Sequence, residues 1–224
     1  MRVLVIGASR GIGFEFVRQY LADGAQVTAT ARRAADVAEL GAMGATAFAL
    51  DVTDAADMTD ASGDAWSGGG AAYDVAILTA GIFGPRSVGL DTPTEAEFDS
   101  VMHTNVLGAM CVIPQLADAL APGARLAVLS SRMGSIGERA AASGWLYRAS
   151  KAALNSVLKD VSLVLADRVT CVAFHPGWVR TDMGGALAEL TPQRSVADMR
   201  RTLAALTPAQ TGSFLNHDGR AIAW

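Results

Sequence analysis

This 224-residue sequence has few cysteines, a small net charge and no long apolar run. The two cysteines, Cys111 and Cys171, have neither CxxC nor metal-type spacing, so we expect buried thiols and no metal site. The formal net charge is −4 without a block of lysine and arginine, which argues against a nucleic-acid partner. No stretch approaches the roughly 18 to 20 apolar residues of a membrane span, and the first apolar run, residues 3–6, is too short for a secretion signal. We therefore expect a cytoplasmic protein without a membrane partner.

Aromatic residues make up only 6% of the chain, whereas hydrophobic residues as a whole make up 51%. This composition is typical of a globular protein, and the length suits one domain, residues 1–224. Short β-rich runs alternate with helical periodicity, which predicts an α/β fold: a doubly wound, Rossmann-type parallel sheet of about seven strands with helices on both faces. Strands are predicted at residues 3–6, 26–30, 46–50, 75–78, 125–129, 169–174 and 213–215. Helices are predicted at residues 13–23, 34–41, 54–67, 95–107 (with a possible extension to 120) and 145–165, and a loop at 68–70.

A glycine pattern lies between the first predicted strand and the first helix. Gly7, Gly11 and Gly13 form a G-x3-G-x-G turn that also contains Ser9 and Ile12. Glycine permits a tight turn and lets the backbone approach a pyrophosphate, and the helix start offers free N–H groups to the anion. A plain glycine-rich turn is the alternative, but the strand–turn–helix setting favours dinucleotide binding.

Basic residues near this turn indicate which dinucleotide binds. A site selective for NAD usually has an acidic residue at the end of the second strand, and this sequence has none there. Arg10 in the glycine turn and Arg32 after the second strand could hold a 2′-phosphate, because a guanidinium group suits that anion. The alternative is that Arg32 and Arg33 are solvated residues at a helix start. We expect NADP(H) as the preferred cofactor, with NAD(H) possible.

Two residues of one predicted helix suggest proton-transfer chemistry. Tyr147 and Lys151 are four positions apart and so share a helix face. An ammonium group near a phenol favours the phenolate, so we expect Lys151 to lower the pKa of Tyr147 from its ordinary value near 10. Such a tyrosine can pass a proton to a carbonyl oxygen while a nicotinamide supplies a hydride to the carbon. The YxxxK spacing alone is a weak signal, since surface helices also produce it.

The order of these motifs along nearly the whole chain resembles the short-chain dehydrogenase/reductase family. The segment 175–185 and the chain end resemble the C-factor-like carbonyl reductases within it. Two positions depart from the family pattern: Ile6 stands where a threonine usually precedes the first glycine, and Thr79 stands where an asparagine usually follows the fourth strand.

The resemblance implies roles for further residues. It implies that Ser131, at the end of the fifth strand, bonds the substrate oxygen, with Ser135 as the second choice. It also implies that Asn105 supports a water that relays protons to Lys151. The cofactor-binding residues that it adds to the glycine turn and the arginines are Asp51, Val52, Ala80, Gly81, Tyr147, Lys151, Pro176, Gly177, Val179 and Thr181.

The substrate is less constrained by the sequence. The family's variable substrate loop corresponds to residues 184–195, which are small and apolar, and we expect an uncharged, apolar aldehyde or ketone. Trp145 and Trp178 either face the pocket or are core or interface residues, and His175 is interpreted as structural. Two other functions stay open: a nucleotide-binding regulatory protein with little turnover, and an epimerase or dehydratase, for which the tail after Pro176 is short. A homodimer is a further possibility.

Overall fold

The computed structural model describes residues 1–54 and 72–224, and a parallel sheet lies at its centre. The sheet has seven strands in the order β3-β2-β1-β4-β5-β6-β7, and every neighbouring pair is parallel. The strands are β1 Arg2–Ile6, β2 Gln26–Ala31, β3 Thr46–Ala49, β4 Tyr73–Leu78, β5 Leu120–Leu129, β6 Val169–His175 and β7 Ser213–Asn216.

Helices connect the strands and cover the sheet. They are α1 Gly11–Ala22, α2 Ala34–Ala42, α3 Glu95–Met102, α4 Gly108–Ala119, α5 Trp145–Val164 and α6 Pro192–Ala205. One turn of π-helix, His103–Leu107, joins α3 to α4, and 3₁₀ turns lie at Arg132–Gly134 and Pro208–Gln210. None of these helices in residues 1–54 and 72–224 has the length and apolar character that a membrane span requires.

Alternate residues of each central strand enter different cores, because successive side chains of a strand point to opposite faces of the sheet. In β1, Val3 and Val5 pack with residues of α1, α2 and α6, whereas Leu4 and Ile6 pack with residues of α4 and α5. All four side chains are fully buried. This burial on both faces explains why the strand sequence is continuously apolar.

The strand order reverses direction at β1, and this reversal positions the site. The chain moves outward from β1 through β2 to β3 and then returns to the other side of β1 as β4. The connections on the two sides therefore diverge at the carboxyl ends of β1 and β4 and leave a crevice there. Open α/β sheets bind their ligands in such a crevice.

The predicted fold class is confirmed, with differences at several boundaries. β5 begins at Leu120 rather than at residue 125, and the long helix predicted from residue 95 is divided by the π turn. The last residues of the predicted substrate loop 184–195 are helical, because α6 begins at Pro192. The predicted helix 54–67, beyond its first residue, and the loop 68–70 lie outside the described residues.

Candidate active site

A cavity of about 410 Å³ lies at the carboxyl ends of the central strands. Fifteen of the predicted site residues line it: Gly7, Ser9, Arg10, Gly11, Ile12, Gly13, Arg32, Asp51, Val52, Ala80, Gly81, Tyr147, Lys151, Pro176 and Thr181. The other four, Asn105, Ser131, Gly177 and Val179, are not on its wall. The structure therefore brings the glycine turn and the Tyr147–Lys151 pair to one cavity.

The glycine turn is closed so tightly that side chains would not fit in it. Gly7 has a φ of +86°, and a Cβ there would lie 2.8 Å from the backbone nitrogen of Ala80. A Cβ on Gly13 would overlap the carbonyl oxygen of Gly7. The helix that follows has Arg10 at its N-cap without a side-chain cap, and no acidic residue in its first turn. Free N–H groups and the positive end of the helix dipole thus face the cavity, and this arrangement fits a phosphate anion.

Two threonines brace this turn where the sequence departs from the family pattern. The backbone N–H of Gly7 donates to Oγ1 of Thr30 at 3.2 Å. Thr30 of β2 therefore supplies a threonine hydroxyl beside Ile6, the position where the family usually has a threonine. The hydroxyl of Thr79 lies 2.8 Å from the carbonyl oxygens of both Ile6 and Gly7. Thr79 therefore joins the end of β4 to the end of β1 without the usual asparagine amide.

Two arginines of the cavity wall each lie beside a carboxylate that also lines the cavity. Arg10 pairs with Asp182 at 3.0 Å, and Arg32 lies 3.9 Å from a carboxylate oxygen of Asp51, with both arginine side chains mostly exposed. Arg33 is held by Asp36 through two hydrogen bonds of 2.8 and 2.5 Å. Arg33 lowers the pKa of Asp36 most, and the positive charges of Arg10 and Arg32 lower it further. Three guanidinium groups therefore lie within electrostatic reach of one carboxylate.

Tyr147 and Lys151 line the same cavity and are both buried, with 7% and 4% of their surfaces exposed. Burial raises the pKa of Tyr147 to about 12, and a hydrogen bond with the Ser131 side chain opposes this change. Burial lowers the pKa of Lys151 to about 8. The amine of Lys151 donates to the carbonyl oxygen of Leu129 at 2.9 Å and lies 5.8 Å from the centre of the Tyr147 ring. The expectation that Lys151 lowers the pKa of Tyr147 is wrong for this structure, because burial of the phenol outweighs the distant amine.

Asn105 lies behind the cavity wall, in the π turn between α3 and α4. Its amide binds both backbone groups of Ile82 at 2.8 Å and donates to the hydroxyl of Ser150 at 2.9 Å. Ser150 in turn donates to the carbonyl oxygen of Tyr147. A Cβ on Gly81 would lie 3.2 Å from both the Asn105 oxygen and the Lys151 amine, so these two groups are close neighbours. Asn105 thus connects the segment after β4 to the helix that carries Tyr147.

The serines at the end of β5 have different partners. Ser131 accepts a hydrogen bond from the backbone of Met133 at 3.1 Å, and its side chain opposes the rise in the pKa of Tyr147. Ser135, the second choice for the catalytic serine, instead donates to the carbonyl oxygen of Ala223 at 2.6 Å. Of the two candidates, Ser131 is therefore the one that influences the phenol.

The remaining aromatic and imidazole candidates lie outside the cavity wall. The indole of Trp145 donates to the carbonyl oxygen of Asp91, and that of Trp178 donates to the carbonyl oxygen of Gly184. Burial lowers the pKa of His175 to about 4, with Arg132 adding to the effect, so its ring is neutral at ordinary pH. These positions are consistent with the interpretation of His175 as structural.

Several residues around the site were not predicted from the sequence. Phe83 stacks on Tyr147 with ring centres 4.5 Å apart and an angle of 22° between the planes. Arg180, Asp182 and Met183 line the cavity beside Thr181. The only sequence signal for these residues is that they directly follow predicted site segments.

Comparisons with known proteins agree with this geometry. The family model described as short chain dehydrogenase matches residues 1–191. A curated protein of Rhodococcus, 1-hydroxy-2-glutathionyl-2-methyl-3-butene dehydrogenase, is 31% identical over 99% of both chains. C-signal of Myxococcus xanthus is 36% identical over 67% of this chain and 92% of its own length.

Solved structures show the same fold. The NADPH-bound carbonyl reductase from chicken fatty liver superposes with a TM-score of 0.91 at 31% identity, covering 100% of this chain and 98% of that one. Carbonyl reductase Sniffer of D. melanogaster has a TM-score of 0.88 at 28% identity, covering 100% and 99%. The family model and these relatives establish that the chain belongs to the short-chain dehydrogenase family.

Proposed function

We propose that this oxidoreductase uses NADP(H) to reduce an apolar aldehyde or ketone, with Tyr147 as the general acid. The observation that supports this most directly is one cavity lined by the glycine turn and by the buried Tyr147 and Lys151, with the Ser131 side chain near enough to Tyr147 to oppose the rise in its pKa. A carbonyl oxygen placed between the two hydroxyls would receive one hydrogen bond from each. The residues 1–224 would act as one domain, with the loop before α6 next to the substrate.

The protonation states of the site suit the reductive direction. With a pKa of about 12, Tyr147 keeps its proton at neutral pH and can donate it to an oxygen that gains negative charge. Lys151, with a pKa of about 8, holds a proton that it can release near neutral pH. We propose that this lysine returns a proton toward Tyr147 after each turnover, in a relay that Asn105 positions.

The cofactor proposal rests on the glycine turn and the arginines of the cavity wall. When bound there, a nicotinamide dinucleotide would supply the hydride. Arg10 and Arg32 line the cavity and would hold its 2′-phosphate, whereas Arg33 does not line it. The solved relatives from chicken and from Burkholderia multivorans are described with NADPH and NADP bound, which supports the same choice.

The proposed substrate class rests on the loop between Thr181 and α6. Met183 and Leu187 are exposed there, with 39% and 86% of their surfaces accessible. Side chains of this kind favour an uncharged substrate, since apolar surface cannot replace the hydration of a charged group. The cytoplasmic location and the homodimer stay predictions.

A substrate panel tests the proposal. Purified protein is mixed with NADPH or NADH and with aromatic and aliphatic aldehydes and ketones, and cofactor oxidation is followed by absorbance. We expect turnover with apolar carbonyls and a higher kcat/KM with NADPH than with NADH. Loss of turnover in Tyr147→Phe, with cofactor binding retained, would assign the proton transfer to this residue.

A nucleotide-binding regulatory protein is the second candidate, and the name of the Myxococcus relative, C-signal, is the observation that favours it. Such a protein would bind NADPH and would turn over carbonyls slowly or not at all. Equal, low rates in the wild type and in Tyr147→Phe would support this second function over the first.

A further inference from the structure

Phe83 lies against the phenol ring of Tyr147. It comes two residues after Gly81, and the backbone of its neighbour Ile82 is fixed by two hydrogen bonds to Asn105. The near-parallel rings, 4.5 Å apart at 22°, form a favourable aromatic pair. The proposed reaction uses Tyr147 but assigns no role to this ring.

Phe83 is itself held by Arg86. The guanidinium carbon of Arg86 lies 5.0 Å from the centre of the Phe83 ring, within the range of a cation–π contact. The same side chain donates to the carbonyl oxygen of Met183 at 2.9 Å. Arg86 therefore links the segment after β4 to the loop on the other side of the cavity.

The start of α5 needs support of this kind. Tyr147 lies in the first turn of the helix, whose N-cap, Gly144, makes no side-chain capping bond. Helix ends without caps fray most readily. A Cβ on Gly144 would lie 3.2 Å from Cζ of Phe83 and 3.3 Å from Cε of Met133, so the Phe83 ring packs closely against this turn.

We propose that Phe83 is a positioning residue that holds the Tyr147 phenol in place and shields it from water, and that Arg86 fixes Phe83 by bridging it to the backbone of Met183. This inference rests on the proposed function, in which Tyr147 donates the proton. Two cations face the stacked rings: Lys151 from α5 and Arg86 from the segment after β4. Phe83 itself need not touch the substrate.

Substitutions at two positions separate the parts of this role. Phe83→Leu keeps apolar cover but removes the flat ring, whereas Phe83→Ala also opens the phenol to water. Arg86→Ala removes the bridge, and Arg86→Lys restores a cation over the ring. The control is Phe98→Leu, the same chemical change at a half-exposed position on α3.

The first measurement is steady-state kinetics with NADPH and a carbonyl that the wild type reduces. We expect Phe83→Leu to lower kcat about three- to tenfold, because an aromatic pair is lost. The KM for NADPH should change less than about twofold, since Phe83 is not on the wall of the cofactor cavity. Arg86→Ala should lower kcat in the same way, and Arg86→Lys should recover part of the loss.

The second measurement needs no turnover. Tyrosine is labelled with ¹³C at its ζ carbon, the Tyr147 signal is assigned by its absence in Tyr147→Phe, and its ionised fraction is measured at pH 10.5. Because water would reach the phenol in Phe83→Ala, we expect its ionised fraction to rise at least about threefold over the wild type. Phe98→Leu should leave this fraction unchanged.

The outcomes distinguish the two proposals. A wild type that reduces no carbonyl, combined with the expected rise in ionisation, would refute the proposed function and leave the shielding of Tyr147 by Phe83 standing. An active enzyme in which Phe83→Leu and Arg86→Ala match Phe98→Leu in kcat would refute the positioning role. An unchanged ionised fraction in Phe83→Ala would refute the shielding role whether or not the enzyme is active.

Discussion

Gly13 and Gly41 are both helical glycines, and we expect substitution by alanine to have opposite effects at the two positions. A Cβ on Gly13 would overlap the carbonyl oxygen of Gly7 and lie 2.6 Å from Oγ1 of Thr79, so backbone would have to move. A Cβ on Gly41, in α2, would meet no atom within 4 Å. The same added methyl group is therefore a clash in one helix and harmless in the other.

The magnitudes follow from these environments. Overpacking of a closed site costs about 1 to 3 kcal/mol of unfolding free energy. Alanine in place of an unstrained helical glycine stabilises by up to about 1 kcal/mol. We expect the unfolding free energies of Gly13→Ala and Gly41→Ala to differ by about 2 to 3 kcal/mol, which corresponds to a difference in Tm of roughly 4 to 12 °C for a chain of this length.

Thermal unfolding of the wild type and both variants, followed by circular dichroism, measures this difference. NADPH titration should also show weaker binding by Gly13→Ala, because displacement of α1 moves its first N–H groups away from the glycine turn. A Gly13→Ala protein as stable as Gly41→Ala would contradict the tight closure of β1 on α1. That result would also remove the structural reason for placing a phosphate there.

Three further predictions concern charge, hydrogen bonding and pH. Arg32→Ala should weaken NADPH binding about tenfold while NADH binding changes less than about twofold, as measured by cofactor fluorescence. Ser131→Ala should lower kcat roughly ten- to a hundredfold, whereas Ser135→Ala should keep kcat and lose about 1 kcal/mol of unfolding free energy. The pKa of His175 in the folded protein, about 4, lies below its ordinary value of 6.5. The stabilisation of the fold that follows from this difference is present above pH 6.5 and is lost as the pH falls toward 4. Urea unfolding measures this loss. From pH 6.5 to pH 4, the unfolding free energy of the wild type should fall by up to about 3 kcal/mol more than that of His175→Asn.

The sheet was predictable because its strands are mostly apolar runs separated by segments with helical periodicity. Residues such as Val3, Leu4, Val5 and Ile6 are buried on both faces, and a continuous apolar run is the signature of such a strand. The glycine turn was equally readable, since only a backbone that approaches a neighbour closely requires Gly7 and Gly13. Both features depend on local sequence.

The electrostatics of the site were less predictable. The spacing of Tyr147 and Lys151 places them on one helix face, but it does not say where each polar atom points. The amine of Lys151 donates to Leu129, which lies at the end of β5, and burial sets the pKa of both groups. The hydrogen bond and the burial depend on tertiary packing, which a spacing of four residues does not predict.

Contacts between distant segments were the hardest to predict. The π turn that carries Asn105 has no sequence signature, and Ser135 bonds Ala223, 88 positions away. Phe83 reaches Tyr147 only because β4 and β5 are neighbours in the sheet. In each case the fold topology determines which residue is the contact partner. The sequence alone therefore does not predict the role of these residues.

The most direct test follows hydrogen from the cofactor to the product. Wild-type protein and Tyr147→Phe are incubated with an apolar aldehyde and NADPH that carries deuterium at both hydrogen positions of nicotinamide C4, and the alcohol is analysed by mass spectrometry. The proposed reaction predicts one deuterium on the former carbonyl carbon with the wild type, and at least about a hundredfold less alcohol with the variant. Unlabelled alcohol, or equal yields from both proteins, would contradict hydride transfer coupled to the Tyr147 proton.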